Sequence, residues 1–159
     1  MPEVVADTSP LQYLHQIGHL DLLERLYREV LVPRDVVNEI DEGLRRGVVL
    51  PVPAQTSWIR IVDPPGAELL ALASDLGAGE RAVLALGVAR KALVILDDGL
   101  ARRYASLLGL HCTGTLGVLI RAKRDGLVHR LEPLLDRLQE QRFRLAPAVR
   151  AQALELAGE

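Results

Sequence analysis

Residues 92–98 read Ala-Leu-Val-Ile-Leu-Asp-Asp, a run of five apolar side chains halted by two adjacent carboxylates. A half-buried strand alternates apolar and polar residues, whereas an unbroken run with β-branched members fits a strand covered on both faces, as in parallel sheets. The residues that follow, Leu100 to Leu108, have helical character. In an open α/β sheet, reactive groups collect at the carboxyl edge, where strands end and helices begin. Two neighbouring acids there raise each other's pKa unless a cation lies between them. Asp98 alone reads as a helix cap. The pair, together with a second aspartate-ended strand at Val4–Asp7, points to a metal site.

The rest of the chain repeats this strand-then-helix rhythm. After Asp7, Thr8 and Ser9 supply hydroxyls and Pro10 a first-turn proline, a helix-start signal. Leu11–Ile17 and Leu20–Leu26 read as short amphipathic helices separated by Gly18. Val30–Val32 reads as a second strand, with Pro33 as the first residue of a helix whose apolar stripe is Val36, Val37, Ile40 and Leu44. Trp58–Val62 alternates like an edge strand, and Pro64-Pro65-Gly66 breaks it. Helices are expected over Glu68–Asp75 and Glu80–Ala89, followed by the central strand and the Leu100 helix. Leu110–Thr113 is a last short strand, Gly114-Thr115-Leu116-Gly117 opens another helix, and two more helices flank Ala146-Pro147. Strands alternating with helices predict a three-layer α/β/α sandwich around a central parallel sheet, with residues 1–159 as one domain.

Composition excludes several alternatives. About half of the residues are apolar and a quarter charged, which argues against disorder. No apolar run is long enough to span a bilayer, and the first residues lack a signal-like core. Cys112 is the single cysteine, so no internal disulfide or paired-cysteine zinc site can form, and a cytoplasmic location is the expectation. The net charge of −2 conceals an uneven distribution. Residues 1–80 carry 13 acidic and 6 basic side chains, and residues 81–130 carry 9 basic and 3 acidic. Such a split suits a protein that gathers cations in one place and phosphates in another. Seventeen of the 19 basic residues are arginine, a side chain matched to bidentate phosphate contacts, although a GC-rich genome gives the same bias.

Topology then brings acids together. Asp7 and the Asp97-Asp98 pair end strands, and Glu80 opens the helix that leads into the central strand, so all begin from the carboxyl edge. Glu39 lies roughly 9 Å along its helix at 1.5 Å per residue, within reach of the same crevice if its face points inward. Each acid has an ordinary reading: Asp7 as a cap, Glu39 as helix surface, Glu80 as a partner of the helix dipole. Those readings do not explain why all four lie at one edge. Oxygen-only ligands without cysteine or histidine pairs favour a hard cation, Mg²⁺ or Mn²⁺. His15, His19, His111 and His129 have no ligand spacing and read as structural.

The ordered set Val-Val-Ala-Asp7-Thr-Ser-Pro-Leu, Val-Pro-x-x-Val-x-x-Glu39-Ile, Gly79-Glu80, Leu96-Asp97-Asp98-x-x-Ala-Arg102 and Gly114-Thr115-Leu116-Gly117 resembles the PIN-domain superfamily. The likeness covers nearly the whole chain and is nearest to a prokaryotic branch with the Gly-Thr-Leu-Gly turn and a terminal Ala-Gly158-Glu159. It implies an Mg²⁺- or Mn²⁺-dependent endoribonuclease acting on RNA phosphodiesters, often the toxin of a toxin–antitoxin pair with an antitoxin partner, and a homodimer. By position, the resemblance makes Asp7, Glu39, Glu80 and Asp98 the catalytic acids. Asp7, Asp98, Glu80 and the extra Asp97 are then the expected metal ligands. Two positions depart from the family pattern: Glu80 stands where aspartate is commoner, and Asp97 adds an acid.

Around these acids, Thr8, Ser9, Arg102 and Thr115 are candidate substrate contacts, each with a capping or ion-pairing role as the competing assignment. Only Tyr13, Tyr27, Trp58, Tyr104 and Phe143 are available to stack bases. A degenerate domain that binds RNA or protein without catalysis is the alternative. A phosphoryl-accepting aspartate domain is disfavoured, because Asp7 lacks the paired Asp-x-Asp and no lysine ends a late strand. The leucines of residues 11–26 read either as core or as a face for a dimer or an antitoxin.

Overall fold

The structure, a computed structural model, describes residues 2–64, 66 and 73–159. Among the described residues, five parallel strands form the sheet: β1 (Val4–Ala6), β2 (Val30–Pro33), β3 (Ile59–Val62), β4 (Leu93–Ile95) and β5 (Cys112–Thr113), in the order β3-β2-β1-β4-β5. The expected all-parallel sheet is present, and Ile59–Val62 is one of its two edge strands. Strands β1, β2 and β4 are almost wholly buried, which is why their sequences do not alternate.

The helices are α1 (Thr8–Gln16), α2 (Asp21–Tyr27), α3 (Arg34–Arg45), α4 (Ala78–Arg90), α5 (Gly99–Leu107), α6 (Thr115–Arg124), α7 (Glu132–Glu140) and α8 (Pro147–Leu156). They flank the sheet as an α/β/α sandwich. Pro33 is the last residue of β2 and the N-cap of α3, so the helix begins at Arg34, one position later than expected. The helix expected over Glu68–Asp75 lies mostly outside the described residues; Ala73 to Leu76 form a turn.

Helix α4 is apolar on nearly every side and packs on β1, β2 and β4 and against α3 and α5. Its Gly87 permits this approach: a Cβ there would stand 2.7 Å from Cγ1 of Val94 in β4. Leu11, Leu14, Leu22, Leu23 and Leu26 all enter the core beside α6. Burial therefore removes them as an exposed face for a dimer or an antitoxin. Among the described residues no helix is long and apolar enough to cross a membrane.

The sheet order has one consequence for function. From β1 the chain steps to β2 and β3 on one side, then returns to β4 and β5 on the other. The switch point therefore falls between β1 and β4, where a crevice opens outside the carboxyl ends of the strands. Ala6 is in register with Ile95 there, so Asp7 and Asp97-Asp98 leave the sheet side by side.

Candidate active site

Asp7 occupies the N-cap position of α1, yet its side chain makes no capping bond. Its amide is tied to the Ile95 carbonyl at 3.1 Å, which fixes the residue against β4. The side chain is 5 % exposed, and Oδ1 has no hydrogen-bond partner. An unpaired buried carboxylate oxygen is costly, because the charge loses its water without gaining a donor. Burial first, then Glu80, Glu39 and Asp97, push the Asp7 pKa up to about 7, against the pull of the Thr8 amide. The capping assignment for Asp7 thus fails.

Glu39 reaches back from α3 and joins two other helices. Its Oε2 accepts from the Thr8 hydroxyl at 2.7 Å, and Oε1 accepts from the Gly79 amide at 3.0 Å. Gly79 makes this possible, since a Cβ there would lie 2.6 Å from both Glu39 oxygens. Glu80 turns back onto its own helix start, accepting from the Gly77 amide through Oε2 at 2.7 Å. Burial raises its pKa, and the charges of Asp98 and Glu39 add to the rise.

The two aspartates after β4 divide their tasks. Asp98 caps α5, accepting from the Ala101 amide through Oδ2 at 2.9 Å. Asp97 accepts from Thr115 twice, from the amide at 2.8 Å and from the hydroxyl at 2.7 Å. Burial raises the Asp97 pKa, while the Thr115 bonds and the Arg102 charge oppose that rise.

Electrostatic coupling therefore links all five acids: Asp7 feels Glu80, Glu39 and Asp97, and Glu80 feels Asp98 and Glu39. Among the described residues they fall into two classes. Both oxygens of Glu39 and both of Asp97 are held by protein donors. Asp7, Glu80 and Asp98 each keep an oxygen without one. Both Asp97 oxygens hold the start of α6, and the residue also lines the cleft.

Thr115 changes role too. It is fully buried and spends both donors on Asp97, so it has none to offer a phosphate. Thr8 likewise donates to Glu39. Arg102 directs Nη1 at the Leu96 carbonyl, 3.3 Å away, in the crowded space beside Gly114 and Asp97. Ser9 lines the open cleft.

That cleft, of about 420 Å³, has Glu80, Asp97 and Asp98 on its acidic side. Its remaining lining includes Tyr13 and the three residues Arg142, Phe143 and Arg144, none of which sequence reasoning had placed there. The basic-aromatic-basic triplet between two helices was the available signal. Its place in the site follows from Phe143 packing edge-on against Tyr13, with centroids 5.0 Å apart.

The donors present suit a hard divalent cation. The orphaned Asp7 oxygen sits among carboxylates that repel one another, and all available ligands are oxygens. Among the described residues no group of three or more His, Cys, Asp or Glu is arranged to hold an ion outright.

A family model described as a PIN domain matches residues 3–159. No curated protein matches the chain.

Proposed function

The chain belongs to the PIN-domain family, and from that premise we propose that it is an Mg²⁺- or Mn²⁺-dependent endoribonuclease. PIN domains are generally nucleases that use divalent metals, and the fold is of that type. The observation that carries the reading is the Asp7 carboxylate. It is buried at the switch point, with one oxygen unpartnered and other acids around it.

Asp7, Glu80 and Asp98 would hold the cation through the oxygens that lack protein donors. A bound divalent cation makes water acidic enough to attack at neutral pH and offsets the charge that develops on phosphorus. The chain's own residues prepare the site. Glu39 locks the starts of α1 and α4 together, so that Asp7 and Glu80 are presented from fixed backbone. Asp97, held by Thr115, anchors the turn from which Asp98 projects and adds negative potential beneath it. Ser9, which lines the cleft, would meet the substrate.

The toxin role, with an antitoxin partner, and the homodimer belong to this proposal through the family resemblance alone. Incubation with a mixed single-stranded RNA tests the enzymatic core. Cleavage is expected with Mg²⁺ or Mn²⁺, absent in excess chelator, and lost in Asp98→Asn. Full cleavage in chelator, or unchanged cleavage by Asp98→Asn, would refute it. Binding of RNA without cleavage under any metal would favour the non-catalytic alternative.

A further inference from the structure

The basic part of the cleft lining carries its own chemistry. Helix α7 ends at Glu140, and the chain closes it with the Phe143 amide donating to the Leu138 carbonyl at 3.0 Å and the Arg142 amide to Gln139 at 3.0 Å. This closure requires a left-handed residue, and Arg142 adopts φ 67° where glycine would be the relaxed choice. Arg142 and Arg144 are exposed, and among the described residues neither forms an ion pair, although three carboxylates line the same cleft. Between them Phe143 is half-buried, braced by Tyr13.

We infer that the Arg142–Phe143–Arg144 turn, with Tyr13 behind it, is the strand-holding wall of the site and selects an unpaired nucleotide over a duplex. The inference rests on the nuclease reading above for its substrate class, RNA. Two guanidiniums separated by an aromatic ring match the repeat of a single strand, in which phosphates alternate with bases. The ring stacks on an exposed base face, which a duplex hides, and the arginines hold phosphates on either side. The acids of the same cleft repel the backbone, so a strand is held at the arginines and bridged to the acids only through cations. The tight helix closure fixes the triplet in place, so little conformational entropy is lost on binding.

The test is fluorescence anisotropy with a short labelled single-stranded RNA and its duplex, in EDTA so that cleavage cannot intervene. Arg142→Gly relaxes the left-handed backbone, so its thermal midpoint should equal or exceed that of the wild type while single-strand affinity falls. The double variant Arg142→Gln/Arg144→Gln should flatten the slope of log affinity against log salt by about 1.4, the share of two phosphate contacts. Phe143→Leu should weaken single-strand binding about tenfold, the scale of one lost base stack, and leave duplex binding unchanged. Wild-type affinity in all three variants, or a wild type that binds no single strand, would overturn the inference. If the variants bind normally while the wild type cleaves RNA, the nuclease reading stands and this wall does not. If the wild type binds through the triplet yet never cleaves, the wall stands and the nuclease reading falls.

Discussion

Asp97 takes both hydrogen bonds that Thr115 can donate, across 18 positions of sequence and inside the molecule. The pair ties the end of β4 to the start of α6. Thr115→Val keeps the shape and removes the hydroxyl, leaving one Asp97 oxygen without its donor. The expected cost is about 1–3 kcal/mol by urea denaturation, with reduced cleavage as the Asp98 turn loosens. Thr115→Ser should restore both. A valine variant as stable and active as the serine variant would contradict the assigned role.

Gly79 donates its amide to the Glu39 carboxylate, and a Cβ at this position would stand 2.6 Å from both Glu39 oxygens. Gly79→Ala should expel Glu39 from its bonds to the Thr8 hydroxyl and the Gly79 amide. Helix propensity favours alanine by about 1 kcal/mol, so the loss of stability should be modest. Cleavage should fall far more than stability, because the starts of α1 and α4 lose their common anchor. Equal activity in the alanine variant would show that Glu39 is dispensable there.

The Asp7 pKa of about 7 sets two opposite pH trends. Folding raises this pKa, so the folded protein holds the proton more tightly. The resulting stability is fully present below the unfolded value of 3.8 and is lost as pH rises through about 7. Metal-free Asp7→Asn should therefore melt above the wild type at pH 8, with the gap closing toward pH 4. Cation binding runs the other way, since the ion must displace the proton. Calorimetric Mn²⁺ affinity should fall about tenfold per pH unit below 7 and level off above it. A pH-independent affinity between 5 and 7 would remove Asp7 from the ligands.

Much of this was legible in the sequence, for a definite reason. Parallel strands buried on both faces are written as unbroken apolar runs, so Val4–Ala6 and Leu93–Ile95 announce themselves and their terminal acids. The shared edge of Asp7, Glu80 and Asp98 then follows from chain direction. What Glu39, Asp97 and Thr115 do was not legible, because their partners lie 18 to 40 positions away and depend on side-chain rotamers. The Arg142–Arg144 triplet was missed because no strand leads to it; it reaches the cleft only through the packing of Phe143 on Tyr13.

The account turns on a cation seated at the junction of β1 and β4. Crystals soaked in Mn²⁺ and measured for anomalous scattering test that most directly. A peak within coordination distance of the unpartnered Asp7 oxygen and of Asp98 is predicted, and it should vanish in Asp7→Asn. A fully soaked crystal with no peak there, or with one that persists in Asp7→Asn, would contradict the account.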